Sequence, residues 1–574
     1  MLTALQLANF KAFAAPQRIP IRPLTLIFGP NSAGKSSVIH GLVFGRQAQD
    51  TGDLDIYRTT VGGEAVDLGG FGQYIYGRDE SRRMEWACEI DTSVFTARLA
   101  ELFASATRAQ VSMQIALPRV EQMQLTLGFD PRTGERVEMK VPTGELVPSG
   151  APQVQMYEFT IDSAPILRVS KRPDGSFRVD RLFYDHPAFR EVIKSIILTS
   201  TTTETVQTSD YEGLDEAINQ LVPEFSFEAT NFLPEELLLS GKPVAVEPEG
   251  LIAVSRGARK ENLSAAVRLY FPRLLDEMIR GISEAITREL KRFQYLGPLR
   301  SYPPRHIAFS QQHDPNWFAG GGYAWDVVRR DVEVREKVNH WLGSKERLQT
   351  PYALVVRELV GIDDLEPTIL EELNRLEQEG IELESEPDSE HTVGGVYPVI
   401  DPEAEARNFQ NAIRAAAIEK IQELILFDRR TETIVTHRDV GIGISQVLPV
   451  LVAAYASKDK ILAMEQPEIH LHPALQAELG DVFIASALGE QKNTFILETH
   501  SEHLILRILR RIRETTENTL PEGSIPVLPR DVAVLYVLPT KGGSIIKEIP
   551  VLPDGEFAER WPEGFFPERA KELF

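Results

Sequence analysis

The segment Leu24–Ser37, LTLIFGPNSAGKSS, constrains the fold of this chain more than any other stretch. Leu24, Leu26, Ile27 and Phe28 form a short apolar run ended by a Gly-Pro pair, which predicts a buried strand. Gly29-Pro30-Asn31-Ser32-Ala33-Gly34-Lys35-Ser36 then satisfies the phosphate-loop pattern G-x-x-x-x-G-K-S/T at every fixed position. Small residues let backbone N–H groups curl around phosphates, and the helix that follows points its positive end at them. That helix is predicted from Val38, Ile39, Leu42 and Val43 at helical spacing, directly after Ser37. Lys35 supplies a mobile cation for the outer phosphates, and Ser36 a hydroxyl for Mg²⁺. Strand, loop and helix in this order imply binding of a nucleoside triphosphate.

A chain of 574 residues exceeds one compact core and implies roughly two to four domains. No window approaches the roughly 18 uninterrupted apolar residues of a membrane helix. The start, MLTALQLANFKAF, has neither the basic flank nor the apolar stretch of a secretory leader, so no membrane partner and a cytoplasmic setting are expected. A single cysteine, Cys88, excludes internal disulfides and cysteine-built metal clusters. The net charge of −23 gives no general attraction to nucleic acid. Local basic clusters exist at Lys171, Arg172, Arg178 and Arg181, and at Arg507, Arg510, Arg511 and Arg513; each alone reads as solvated surface charge.

The coarse organisation follows. TALQLANF, LTLIF and MEWACEI read as strands, and Val66–Gln73 as a glycine-rich turn with Gln73 within conceivable reach of a nucleotide. VQMYEFTIDSAPILRVS, Pro173-Asp174-Gly175 and FRVDRLFY read as a β-hairpin, and RLYFPRLLDEMIRGISEAITRELKRF as one or two long helices. Tyr295-Leu296-Gly297-Pro298-Leu299-Arg300 leads into Tyr302-Pro303-Pro304, where Arg300 either meets a phosphate or structures its loop. Glu371–Glu390 reads as a solvated acidic linker.

Chemistry reappears near the C-terminus. Gly441-Ile442-Gly443-Ile444-Ser445-Gln446 before VLPVLVAAYA reads as a glycine-rich turn capping an apolar helix, another anion-binding helix start. Lys460–Glu465 reads as a buried strand ending in a carboxylate, the arrangement that holds Mg²⁺ in phosphate-loop ATPases. Thr494–Glu498 is a further strand, ending at Thr499-His500-Ser501, where His500 can reach a γ-phosphate. A metal cluster of His470, His472, His500 and His503 ranks below this reading, because Ser36 and Glu465 already place a Mg²⁺.

Phosphate loop, Gly-Ser helix cap, strand-carboxylate and strand-His, in this order, resemble the ABC-type ATPase head, and within it the SMC/RecF/OLD group of AAA-family ATPases. YLGPLR, DVGIGISQVLP and Trp561–Phe566 look like a bacterial branch of that group related to anti-phage defence ATPases. The resemblance covers roughly residues 1–90, 290–305 and 425–574. It implies an α/β fold, ATP and Mg²⁺ as cofactors, and a phosphate site from Gly29, Asn31, Ser32, Ala33, Gly34, Lys35, Ser36 and Ser37. It makes Gly443, Ser445 and Gln446 the signature motif, Ser36 and Glu465 the Mg²⁺ ligands, and His500 the switch histidine.

One departure stands out. The group's pattern has a water-activating glutamate after the Mg²⁺ carboxylate, and this chain has Gln466, which orients water but cannot take its proton. Pro467 favours an extended chain, which would put Glu468 on the side of Gln466 as a substitute base. Either Glu468 serves or hydrolysis is slow; both readings stand.

The expected architecture is a head built from both chain ends: residues 1–100 with the phosphate loop, an insertion or arm at 101–290, a return segment with helical subdomain and acidic linker at 291–424, and 425–574 with the remaining motifs. By the resemblance, two ATPs would be sandwiched between two heads, Ser445 of one facing Lys35 of the other, in a homodimer or higher oligomer. Three purposes follow: the ATPase subunit of an anti-phage defence complex with a separate nuclease or toxin as effector, a RecF-like repair ATPase that binds DNA, or an ATP-gated clamp with little turnover. The stretch from His500 to Phe574 looks too short for the metal-binding nuclease domain of OLD-type relatives, so no nuclease is expected in this chain.

Overall fold

The structure, a computed structural model, describes residues 1–96, 99–100, 103, 106–129, 136–187, 189–190, 218–228, 232–244, 259–300, 316–344, 350–359, 370, 374, 407, 411, 421–435 and 442–562. The expected acidic linker (apart from Asn374), Tyr302–Pro304, Gly441 and Glu563–Phe566 lie outside these residues. No helix among the described residues is long and apolar enough to cross a membrane. The chain forms two compact units, one of residues 1–301, 313–323 and 443–574, the other of 302–312 and 324–442.

The first unit is α/β and drawn from both chain ends. Its six-stranded sheet contains β1 (Leu24–Phe28), β2 (Phe293–Leu296), β3 (Ile461–Glu465), β4 (Thr494–Glu498), β5 (Val532–Leu538) and β6 (Ile545–Glu548), in the order β2-β3-β4-β1-β5-β6. All neighbours are parallel except β5 and β6. Every residue of β1, β3 and β4 is buried, as a parallel strand covered on both faces requires. The N-terminal β1 is therefore held between two C-terminal strands, β4 and β5. Trp561 adds to this closure by setting its ring against Phe28 at 5.2 Å and Tyr536 at 5.6 Å.

A second, ten-stranded antiparallel sheet begins with Leu2–Ala8, Gln17–Pro20 and Met84–Asp91 and continues through strands between Arg108 and Pro243. Much of the segment expected as an arm thus extends the sheet started by the N-terminus, while Arg119–Phe129 and Arg136–Pro148 form a separate two-stranded sheet in the same unit. The expected single hairpin is two: Gln153–Ile161, Ala164–Lys171 and Phe177–Leu182 pair in sequence. The extra reversal falls at Asp162 (φ 46°) and Ser163 (φ 69°), both left-handed as a two-residue hairpin turn demands, but without the glycine that usually announces it.

Helix α1 (Lys35–Thr51) packs on both sheets. Gly41 and Gly45, one turn apart, bring it close to the ten-stranded sheet: a Cβ would lie 2.6 Å from Leu7 at Gly41 and 2.4 Å from the Trp86 ring at Gly45. Trp86 Nε1 donates to the Gly41 carbonyl at 2.9 Å, fixing the helix by its backbone. The long helical segment is one helix, α2 (Arg259–Arg292), with Pro272 inside it. Helices α3 (Ile442–Ala456), α4 (Pro473–Leu488) and α5 (Glu502–Thr516) complete the unit.

The second unit holds most of a helix at Tyr323–Arg330, a helix at Val332–Gly343, and an antiparallel sheet of Tyr352–Leu359, Ile421–Asp428 and Thr433–Val435. Asn339 joins its helix to the sheet by bonding both the N–H (2.7 Å) and the carbonyl (2.9 Å) of Leu354.

Candidate functional site

Ligands of open parallel sheets gather beyond the carboxyl ends of the strands, and in the six-stranded sheet those ends carry the phosphate loop after β1, Glu465 on β3 and Glu498 on β4. The loop backbone is strongly specified. Gly29 (φ 146°) and Gly34 (φ 97°) are left-handed, as is Ser32 (φ 60°). At Gly34 a Cβ would meet the Ala12 Cβ at 2.3 Å, so only glycine fits between the loop and the turn after Leu2–Ala8. Ser544, buried after β5, donates its hydroxyl to the Ala33 carbonyl at 2.6 Å. Asn31 and Ser32 are exposed, and the buried Ser37 closes the first turn with its N–H on the Gly34 carbonyl (3.1 Å). The N–H groups of Lys35 and Ser36 at the helix start precede any i−4 carbonyl of α1.

Lys35 is 4% exposed, and its ammonium donates to the carbonyls of Gly29 (3.2 Å) and Pro30 (3.0 Å). Burial holds its pKa below the usual lysine value. Ser36 reaches the neighbouring strand. Its hydroxyl donates to Glu498 Oε2 at 2.7 Å, not to Glu465. The reason is strand order: β4 lies between β3 and β1, with Glu498 in register with both Glu465 and Ile27. Lys35 Nζ stands 3.9 Å from Glu498 Oε1. Burial first, and then the Glu465 charge, push the Glu498 carboxyl up to about 7.

Glu465 instead faces the other side of the sheet end. Its Oε1 accepts the Tyr295 hydroxyl of β2 at 3.0 Å and lies 3.6 Å from His40 Nε2. His40 Nδ1 is 2.7 Å from the Lys11 ammonium, and an ammonium can only donate, so the His40 ring proton sits on Nε2 toward Glu465. Burial lowers His40 below the usual histidine value and Lys11 to about 8. Lys11 also lines a groove of about 720 Å³ with Asp67, Gly69, Gln73 and Arg78. Lys11, His40, Tyr295 and Glu498 carry no spacing that announces them; only the fold assembles them.

The segment after Glu465 is not extended. Gln466 has φ 44° and donates its N–H to the Glu498 carbonyl at 2.8 Å, and tight turns follow as Ile469 N–H meets the Gln466 carbonyl (3.1 Å) and Leu471 N–H the Glu468 carbonyl (3.1 Å). Pro467 bars its predecessor from the right-handed helical region, and the chain takes the left-handed alternative to the extended one. Gln466 is consequently half-buried, whereas Glu468 is 6% exposed and accepts the His500 N–H at 2.8 Å. Burial raises the Glu468 pKa. His500 is exposed, and burial followed by the Lys35 charge holds it below the usual histidine value. His472 caps α4 through Nδ1 on the Ala474 N–H (3.3 Å).

Gln446 and Arg300 are clasped. Gln446 Nε2 donates to the Arg300 carbonyl (3.0 Å), and Arg300 N–H to Gln446 Oε1 (3.3 Å). The Arg300 guanidinium donates to the carbonyls of Gln446 (3.2 Å), Glu465 (3.1 Å) and Gln466 (3.3 Å). Arg300 therefore structures its loop, the second of the two readings left open. Gly443 and Ile444 are half-buried, but Ser445 is 1% exposed and does not present its hydroxyl at the surface of the chain. A Cβ on Gly443 would lie 2.7 Å from the His470 carbonyl.

The basic clusters are engaged within the chain. Lys171 meets Gln153 (2.6 Å), Arg172 meets Asp180 (2.9 Å), Arg178 lies 4.0 Å from Asp174 and Arg181 lies over the Phe183 ring. On α5, Arg507 pairs with Glu478 (2.8 Å) and Asp481 (2.6 Å), Arg511 with Asp481 (2.7 Å), and Arg510 with Glu514 (2.6 Å). Arg507 and Arg511 thereby clamp α5 to α4.

Residues 308–507, about a third of the chain, match the model of a family described as "AAA domain, putative AbiEii toxin, Type IV TA system". Over that stretch the chain is similar to AAA-type ATPase domains. The match spans the signature segment, Glu465 and His500 and begins after the phosphate loop. No curated protein matches the sequence. Among solved structures, an Smc head bound to the C-winged helix domain of ScpA is 8% identical, with 96% of this chain and 97% of that chain covered and a TM-score of 0.33. An Smc head with an extended coiled coil bound to the C-terminal domain of ScpA, from Pyrococcus furiosus, is 10% identical over 100% and 98% of the two chains, with a TM-score of 0.32. The SMC head domain from Thermotoga maritima is 10% identical over 96% and 99%, with a TM-score of 0.31. At such TM-scores the superposition is too loose to transfer the role of any residue.

Proposed function

We propose that this chain is an ATP-binding, Mg²⁺-dependent ATP-hydrolysing switch that acts as the ATPase subunit of a bacterial anti-phage defence complex and controls a separate effector in the cytoplasm. One observation carries the nucleotide reading: Lys35, Ser36, Glu498 and Glu465, distant in sequence, converge at the ends of three adjacent strands. The family matched over residues 308–507, described as an AAA domain and putative toxin of a TA system, supports an ATPase of the toxin-antitoxin or defence kind.

The residues present fit Mg²⁺-ATP. The Gly34 cradle admits no Cβ, Lys35 lies behind the loop, and a hydroxyl with two carboxylates is the hard oxygen donor set that Mg²⁺ prefers. Bound Mg²⁺ neutralises phosphate charge. The loop backbone from Gly29 to Ser37 would hold the phosphates, Lys35 would supply the cation for the outer phosphate, and Ser36, with Glu465 among the carboxylates at the strand ends, would hold the metal. His500 would meet the γ-phosphate, and its N–H, bonded to Glu468 at 2.8 Å, would link that contact to the turn after Glu465. Two heads close on two nucleotides, the half-buried Gly443-Ile444 turn of one meeting the phosphate loop of the other.

A second reading, a clamp with little turnover, is favoured by Gln466, whose amide has no basic oxygen for a proton, together with the burial of Glu468. Internally paired basic clusters give the RecF-like DNA reading no support. The test is equilibrium titration with ATP and Mg²⁺, phosphate release, and light scattering with and without ATP. Lys35→Ala is expected to lower ATP affinity about 10–100-fold, the worth of one charge-assisted contact, and to abolish ATP-dependent association. Unchanged affinity refutes the nucleotide reading; bound ATP without phosphate release selects the clamp.

A further inference from the structure

We propose that Glu498, at the end of β4, is the carboxylate that works directly with Ser36 on the nucleotide-bound divalent cation, with Glu465 one strand further from the phosphate loop. The inference rests on the nucleotide reading above and assigns a role to a residue that no sequence motif marked. Adjacent strands lie about 4.8 Å apart, so interposing β4 between β3 and β1 puts Glu465 two strand spacings from the loop strand and Glu498 one. The side chains follow. Ser36 donates to Glu498 Oε2 at 2.7 Å, while Glu465 Oε1 is taken by the Tyr295 hydroxyl (3.0 Å) and faces His40 (3.6 Å).

A serine hydroxyl has one proton and two lone pairs. With its proton on Glu498, Ser36 keeps lone pairs for a cation, and the carboxylate raises the donor strength of that oxygen as outer partners of metal ligands do. Glu498 is held in place independently: Gln466 N–H binds its carbonyl at 2.8 Å, and the neighbouring Thr499 N–H binds the Ile27 carbonyl at 3.1 Å. Without a cation the same carboxylate, 3.9 Å from Lys35, repels phosphate; with one it binds the complex. Its charge therefore acts with opposite sign in the two conditions, which a scaffolding role cannot reproduce.

The experiment measures ATP affinity of the full chain in Mg²⁺ and in EDTA for wild type, Glu498→Gln, Glu498→Asp and Ser36→Ala. Glu498→Gln is expected to weaken binding in Mg²⁺ about tenfold and to tighten it in EDTA by a few-fold, since one negative charge near the phosphates is gone. Glu498→Asp is expected to retain part of the Mg²⁺ enhancement. Ser36→Ala and Glu498→Gln combined are expected to lose little more of that enhancement than either alone. Equal weakening in both conditions, or no change in either, overturns the proposal while leaving the nucleotide reading intact. Should Glu498→Gln not fold, Mn²⁺ affinity of the ATP complex with Glu498→Asp and with Ser36→Ala decides: additive losses overturn it. Wild type that binds no ATP in either condition removes both readings.

Discussion

Arg300→Met tests whether the start of α3 and the end of β3 move as one piece. The guanidinium holds three main-chain carbonyls, those of Gln446, Glu465 and Gln466, at 3.1–3.3 Å. Hydrogen bonds from a charged donor are worth about 1.5–3 kcal/mol each, so three give about 4.5–9 kcal/mol. Against this, burial brings the Arg300 pKa down to about 10 from 12.5, a desolvation cost of about 3 kcal/mol that methionine removes. The net loss is about 2–6 kcal/mol, a large share of the stability of a typical domain. It should be local, because the Gln446 side chain still bonds the backbone of residue 300. Hydrogen–deuterium exchange is the assay: amides in the first turns of α3 and at the end of β3 are expected to exchange at least about 30-fold faster, the factor for 2 kcal/mol. ATP affinity should change little, since Arg300 touches no residue of the phosphate loop, while turnover falls. Unchanged exchange in both segments of a folded variant refutes the reasoning, and so does acceleration spread evenly over the unit.

Gly34→Ala should impair ATP binding through a backbone at φ 97° and a Cβ 2.3 Å from that of Ala12; Ala12→Gly should restore part of the affinity, and no restoration would put the defect in the backbone angle alone. Glu468→Gln is expected to cut phosphate release about 10²–10⁴-fold with affinity kept if Glu468 takes the proton, measured under saturating ATP. If release is unaffected, Gln466→Glu should raise the rate, because it returns a carboxylate to the half-buried position after Glu465.

The elements that chemistry marks densely were legible in the sequence. LTLIF, the loop to Ser37, the strand ending at Glu465 and the strand ending at Glu498 all stand where hydrophobic runs and breakers put them. The lateral order of those strands was not legible, because a run of five buried residues is identical in character whether it lies beside β1 or two places away. The hydrogen-bond partner of Ser36 depends on that order, which places Glu498 next to the loop strand. Asp162-Ser163 was missed because its left-handed turn carries no glycine, and Gln466 because Pro467 excludes one backbone region but does not choose between the two that remain. Arg300 was visible as a residue but not as a clasp, since its three acceptors are backbone atoms and backbone atoms have no sequence signature.

The same strand order gives a physical reason for glutamine after Glu465. Two consecutive glutamates at the end of β3, with Glu498 opposite on β4 and Glu468 three residues on, would gather four carboxylates beside Lys35 and the Lys11–His40 pair. Like charges at such a site push one another toward the neutral form, and the Glu465 charge adds to burial in raising Glu498 to about 7. A neutral amide at 466 limits that repulsion, and its backbone N–H is what fastens the turn to the Glu498 carbonyl. In this sheet the acidic groups are divided between two neighbouring strands rather than placed in tandem on one. The rate deficit expected from Gln466 and the metal role assigned to Glu498 are then two consequences of one arrangement, so Gln466→Glu should lower Mg²⁺-free ATP affinity even where it raises turnover.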